Sequence, residues 1–421
     1  MDILNVDYKK YKLKNGLEVI LHKDDNLPLV AVNLWYKVGS ANEQKGKTGM
    51  AHLFEHMMFQ GSENVPKEMH FKHIQEAGGS LNGSTSFDRT NYYEKLPANF
   101  LELALWLESD RMGFFLPALT QEKLNNQKDV VINERLERYD NQPYGLAWEI
   151  IISNLYPDGH PYKWPTIGYI EDISSFSLQD VNLFFKKYYS PSNASLVVAG
   201  NFEEKFTRNK IEEYFAGIPD SVITEKIKSA RVKIDSTKTM IREENVQLER
   251  IYFAWSTDKL FGQDDAALDM LADILTGSKN SRLYKTLVHE KEFVQDVSAF
   301  QYSGKSAGHF MIIATARKGI LLDRVKDEIF KELKKLKSRG ASKHELEKTK
   351  NGSRANFIFS LQNLDTMANQ LNFYNYFLGE PNSFNFDLNR YNNITNDIIK
   401  EMVNKYFEKP FIELRIIPKK T

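Results

Sequence analysis

The side chains best placed for chemistry are His52, Glu55 and His56, within Ala51-His52-Leu53-Phe54-Glu55-His56-Met57-Met58-Phe59. His52 and His56 are four residues apart, so on a helix both imidazoles leave from one face. Glu55 lies on the same turn. The order H-x-x-E-H reverses the H-E-x-x-H zinc motif. Imidazole nitrogens and carboxylate oxygens suit zinc, and a helix holds two of them rigidly. The carboxylate beside them can take a proton from water activated there. The remaining residues of the segment are nearly all apolar. Burying two imidazoles and a carboxylate among them without partners costs several kcal/mol, which favours a shared metal over ordinary helix residues.

A third ligand is required. The stretch Asn126-Gln127-Lys128-Asp129-Val130-Val131-Ile132-Asn133-Glu134-Arg135 reads as helix, with acidic residues distributed around it. Spacing alone leaves Asp129, Glu134 and Glu137 open. His70 and His73 are three apart with no carboxylate pattern nearby, which favours a surface role. Asn82, Asn193, Asn351 and Asn393 begin N-x-S/T triplets, which are common by chance. Neither a Walker A loop nor a Rossmann glycine pattern stands between strand and helix.

The elements that position these groups follow from periodicity. Asn15-Gly16 joins two strand-like runs as a hairpin, and Leu29 to Trp35 is a further strand. Residues 49–59 have helical periodicity and stop at Gly61. Lys67 to Ala77 is a second helix, and Leu81 to Leu96 two short strands. Amphipathic stretches span Asn99 to Phe115 and Gln121 to Tyr139. Ser177 caps a helix to Tyr189, and Ala194 to Ala199 is a strand. Lys331 to Lys350 reads as the solvated face of one helix. The order recurs after roughly 220 residues. Asn26-Leu27-Pro28-Leu29 and its strand match Asn245-Val246-Gln247-Leu248 and Ile251 to Trp255. Asp180-Val181 with Lys187-Tyr188-Tyr189 matches Asp397-Ile398 with Lys405-Tyr406-Phe407. An α+β domain in duplicate is expected, with residues 1–218 first, a joining segment at 219–237, and residues 238–421 second.

Composition bounds the function. The 421 residues are 42% hydrophobic and 27% charged, which excludes a disordered or coiled-coil chain. Lys plus Arg and Asp plus Glu both total 56, so the basic excess of a general nucleic-acid binder is missing. The absence of cysteine removes disulfides, thiolate zinc sites and cysteine nucleophiles. No apolar run approaches the ~20 residues of a membrane span. The N-terminal stretch lacks an apolar secretory core. A cytoplasmic location is expected, or a periplasmic or organellar one if a targeting segment was removed.

Three blocks, GMAHLFEHMMFQGS, AGGSLNGSTSFDRTNYYEKLP and NQKDVVINERLERYDNQPYG, together resemble the pitrilysin-type zinc peptidases with the inverted zinc motif. The similarity is dense over residues 8–215 and looser through LTGSKNSRLYKTL. The chain resembles the branch of the mitochondrial processing peptidases, relatives of insulin-degrading enzyme. The resemblance implies two tandem homologous domains, each a mostly antiparallel sheet packed against helices, with the zinc motif in the first only. It makes His52, His56 and Glu134 ligands of one Zn2+ per chain and Glu55 the general base. Gln127 stands where the family often has a supporting Glu, and Gln cannot carry that negative charge. Leu81, Asn82, Gly83, Ser84 and Thr85 match the edge strand that binds an extended peptide substrate. The family also uses an Arg and a Tyr at the substrate carbonyl, and here Val288 and Gln295 occupy those places. Arg282 and Tyr284 belong to the start of that motif, not to the pair. The resemblance therefore implies the zinc-bearing subunit of a heterodimer, with a homologous partner supplying the Arg/Tyr pair. The rival expectation is a non-catalytic structural or peptide-binding subunit, like the core proteins of respiratory reductases.

Overall fold

A computed structural model describes residues 4–221 and 232–419. The chain starts with β1 (Lys9–Lys12), β2 (Glu18–Lys23), β3 (Leu29–Tyr36), α1 (Met50–Met57), α2 (Met69–Glu76), β4 (Ser80–Thr85) and β5 (Thr90–Pro97). Then come α3 (Leu101–Phe114), α4 (Gln121–Arg135), α5 (Ala147–Leu155), α6 (Ile170–Ser175), α7 (Leu178–Tyr188), β6 (Ala194–Gly200) and α8 (Glu204–Phe215). The second half begins with β7 (Lys238–Glu244), β8 (Arg250–Thr257), α9 (Asp265–Thr276), β9 (Val294–Ser303) and β10 (Gly308–Ala316). It ends with α10 (Leu322–Arg339), α11 (Lys343–Ser360), α12 (Leu364–Leu378), α13 (Phe384–Asn392), α14 (Asn396–Tyr406) and β11 (Ile412–Pro418).

Among the described residues there are two sheets, ordered β1-β2-β6-β3-β5-β4 and β7-β11-β8-β10-β9. Each has one parallel pair, β2 with β6 and β7 with β11, and is otherwise antiparallel. The strand orders superimpose when β2 is matched to β7 and β4 to β9, so the α+β arrangement is duplicated. Local chemistry explains several boundaries. Gly16 turns the first hairpin with φ 95°, and a Cβ there would stand 2.7 Å from Ser192 Cβ. Ser177 and Asp180 form a capping box at α7. The single helix expected across Lys331 to Lys350 is two helices, because Gly340 at φ 71° ends α10.

Two units gather these elements from separate stretches. The first takes Met1–Arg135, Trp164–Ile227 and Phe357–Asn385; the second takes Leu136–Lys163, Lys228–Asn356 and Phe386–Thr421. The contiguous halves expected from the sequence thus differ from the units at residues 136–163 and 357–385. Of the expected joining segment 219–237, residues 222–231 lie outside the described residues.

In the first unit, β3 is buried on both faces, which suits its near-continuous apolar run. Tyr36 and Tyr92 meet edge to face, and Tyr36 also packs on Tyr189. On the opposite face Trp35 meets Phe373 and Tyr376 of α12, and Asn33 accepts from Asn372 Nδ2. The second unit repeats this plan. Ile251, Phe253 and Trp255 of β8 enter a core with α9, α10 and α14. Residues of α5 cover the other face, where Trp148 stacks on Phe300 and Tyr156 bonds His309 Nδ1 at 2.8 Å. α12 begins at Leu364 and α5 at Ala147, an offset close to that of the repeat. Each repeat therefore lends its equivalent helix to the sheet of the other.

Candidate metal centre

α1 presents two faces. Leu53, Phe54 and Met57 are buried, and Phe54 stacks on Tyr189 with ring centroids 4.6 Å apart. The partly open face carries His52, Glu55 and His56. α1 packs against α4, and Glu134 stands one residue before α4 ends. His56 Nε2 is 3.2 Å from Glu134 Oε2, and His52 Nε2 is 3.9 Å from the same oxygen. One ligand atom from each of the three residues lies within 4.8 Å of the others. The side chains are 13%, 24% and 15% exposed, so solvent reaches the cluster. Two imidazoles and one carboxylate with an open side fit a catalytic zinc site. Asp129 and Glu137, the other acidic residues of the stretch, are exposed.

Gln127 is buried two turns before Glu134 on α4, and its amide donates to Asn126 Oδ1 at 2.9 Å. Immediately after Arg135 the helix widens into a π turn at Leu136–Asp140. Wide turns of this kind are frequent at functional sites.

Glu55 is placed by β4, the open edge of the first sheet. Thr85 Oγ1 donates to Glu55 Oε2 at 2.6 Å. A Cβ on Gly83 would approach Glu55 Cγ to 3.1 Å, so glycine lets the strand lie directly on this side chain. Burial pushes the Glu55 carboxyl above its ordinary range, opposed by the Thr85 bond, His56 and Arg89. The ladder fixes which backbone groups face outward. Ser86 N donates to Arg89 O, so Ser84, Asn82 and Ser80 turn their backbone groups toward β5 by alternation. Leu81, Gly83 and Thr85 turn theirs to the open edge. Arg89 braces the strand through Ser84 O at 2.7 Å.

A second cluster corrects a sequence expectation. His70, read as a surface residue, is 3% exposed, with Nε2 3.3 Å from Glu94 Oε1. Its partners come from β5 and α3, too distant in sequence to be paired by spacing. Glu94, Glu108 and His70 also bring three ligand atoms together, but Arg111 is paired with both glutamates. Burial and neighbouring Glu108 push the Glu94 carboxyl well up, and burial and Arg111 keep His70 neutral. This is a buried ion network, and its guanidinium opposes a metal.

In the second unit, Val288 lies in the core and Gln295 is exposed on β9. Arg282 is held by Glu345 at 2.6 Å and by Gly340 O at 2.9 Å.

An α+β fold of duplicated sheets with an inverted His/Glu zinc motif defines a class of metallopeptidase-like proteins. Residues 18–161 match the insulinase (peptidase family M16) profile, and residues 175–353 match the peptidase M16 inactive domain profile. The chain belongs to peptidase family M16, with both its N-terminal and C-terminal domains. It is similar to zinc protease PqqE of Helicobacter pylori, 29% identical over 367 residues covering 86% of this chain and 82% of that protein. An uncharacterized zinc protease, YmxG of Bacillus subtilis, is 22% identical over 410 residues, covering 97% and 98%. The crystal structure of a protease from Helicobacter pylori superimposes with a TM-score of 0.91 at 27% identity, covering 98% of this chain and 100% of that one. Among the described residues no helix is long and apolar enough to cross a membrane.

Proposed function

We propose that the chain is a zinc-dependent endopeptidase for extended or unfolded peptides and the zinc-bearing subunit of a heterodimer. The observation carrying this reading is the convergence of His52, His56 and Glu134 beside Glu55, which is itself bonded to the open edge strand. A peptide laid along β4 pairs with the outward backbone groups of Leu81 and Thr85 and with Gly83 O, while Gly83 N donates to Asn82 Oδ1 at 2.9 Å. Such pairing reads an extended backbone with little side-chain selection, and Asn82 and Ser84 shape the strand through β5. Zinc held by His52, His56 and Glu134 supplies Lewis acidity toward water and the peptide carbonyl. Glu55 accepts the proton of the attacking water as the C–O bond forms, then delivers it to the nitrogen as the C–N bond breaks. The Thr85 bond to Oε2 leaves Oε1 to meet water.

The partner follows from Val288 and Gln295. Neither offers a guanidinium or a phenol, and Arg282 is tied to Glu345. A homologous chain carrying the Arg/Tyr pair completes the site. Losing one such donor typically costs ~100- to 1000-fold in rate, so the isolated chain is expected to be nearly inactive.

The test is cleavage of an unstructured fluorogenic peptide by the purified chain, alone and with homologous partner chains. Activity is expected only in the pair. Glu55→Gln in that pair should lower the rate by ~100-fold or more while peptide binding survives. Wild-type turnover by Glu55→Gln overturns the general-base role. Full activity of the isolated chain overturns the heterodimer. A zinc-free chain, inactive in every pairing, favours the structural-subunit reading.

A further inference from the structure

α1 lacks a cap of its own. Its N-cap residue is Gly49, at φ 88° and with no side chain to accept a bond. The position admits nothing larger, because a Cβ would stand 2.7 Å from Ile167 O. Serine, threonine or aspartate, the usual caps, are thereby excluded, yet the first-turn N–H groups still need acceptors. Glu43, seven residues upstream and 8% exposed, supplies them. Its Oε2 accepts from Gly49 N at 2.9 Å and its Oε1 from Ala51 N at 2.8 Å. Trp164 Nε1 donates to the same Oε2 at 3.1 Å and to Ser40 O at 3.0 Å. Ala51 immediately precedes His52.

The loop after Trp164 continues the contact to α4. Gly168 packs on Gly49 so closely that a Cβ would strike its backbone. Gly168 O accepts from Arg135 Nη1 at 2.6 Å, and Arg135 immediately follows Glu134. Asp172 accepts from both the N–H and the hydroxyl of Thr48, at 3.0 and 2.6 Å. The residues beside two of the three metal ligands, Ala51 before His52 and Arg135 after Glu134, are thus fastened to one buried carboxylate and to one strap, 164–172.

We propose that Glu43 is a positioning residue for the metal centre: it replaces the absent N-cap of α1 and, with Trp164 and the 164–172 strap, sets His52 and His56 against Glu134. This rests on the zinc reading above. Glu43 touches neither metal nor substrate and acts through the backbone of α1. A Gln at this place must turn an amide NH2 toward N–H donors that now meet carboxylate oxygen, which displaces the first turn.

The test uses the full chain and two readouts besides activity: zinc affinity by chelator competition, and the visible spectrum of the Co2+-substituted protein. Glu43→Gln should remain folded by circular dichroism, bind zinc ~10- to 100-fold more weakly and shift the Co2+ bands. Trp164→Phe, which removes the indole N–H and part of the ring but keeps the Glu43 bonds to Gly49 and Ala51, should shift both in the same direction by less. It decides the matter if Glu43→Gln does not fold. Variants that melt at lower temperature but keep wild-type zinc affinity and Co2+ spectrum overturn the proposal and leave Glu43 a purely structural cap. A wild-type chain that binds no zinc overturns the underlying reading and this proposal with it.

Discussion

Among the described residues, the Thr85 hydroxyl is the hydrogen-bond donor that holds Glu55. Thr85→Val removes that bond while keeping the strand's shape and its outward backbone groups. We expect kcat of the assembled enzyme to fall roughly 10-fold with KM little changed, as loss of one hydrogen bond to a charged group implies. A change confined to KM would instead make Thr85 a substrate contact. At this scale the sequence was informative where the chemistry is local. His52, Glu55 and His56 share one short helix, so helical spacing alone makes them neighbours. Glu134 was different. Choosing it over Asp129 and Glu137 depends on which side of α4 meets α1, and that is a tertiary fact. His70 shows the same limit, since its partner Glu94 comes from a strand that no spacing rule links to it.

Strand β4 and helix α5 illustrate what elements add. β4 is an edge because β5 pairs with it on one side only, and small residues there let it lie on Glu55. That the stretch is a strand was legible in its own residues; that it ends the sheet beside the candidate metal ligands came only from the family resemblance. α5 seals one face of the second sheet, and with it His309, which is fully buried and bonded to Tyr156. Burial pulls the His309 imidazole down to about 3. The folded state therefore binds fewer protons than the unfolded chain below the unfolded pKa of ~6.5. Its contribution is fully present above that pH and is lost as pH falls toward 3, by about 1.4 kcal/mol per pH unit. Denaturant unfolding from pH 7 to 4.5 should show a shallower loss of stability in His309→Asn than in wild type. Equal slopes would mean that His309 is protonated in the folded protein.

For the whole molecule the consequence is that neither half of the sequence carries every helix that covers its own sheet. Sheet one needs α12, from residues 364–378, over Asn33 and Trp35. Sheet two needs α5, from residues 147–155. The unbroken apolar runs of β3 and β8 announced sheets covered on both faces. They did not say that each cover comes from the other repeat, because an amphipathic helix pattern carries no address. A fragment of residues 1–218 should therefore show no cooperative thermal transition, and neither should 238–421. Mixing the two should restore one, read by circular dichroism and size exclusion. A stable, cooperative 1–218 fragment would contradict the exchange.

The central claim is that His52, His56 and Glu134 form one zinc site. Elemental analysis of the purified chain and of Glu134→Gln tests it most directly. We predict one zinc per wild-type chain and a large loss in the variant, with Asp129→Asn and Glu137→Gln unaffected. Stoichiometric zinc retained by Glu134→Gln, or its absence from the wild-type chain, would contradict the account.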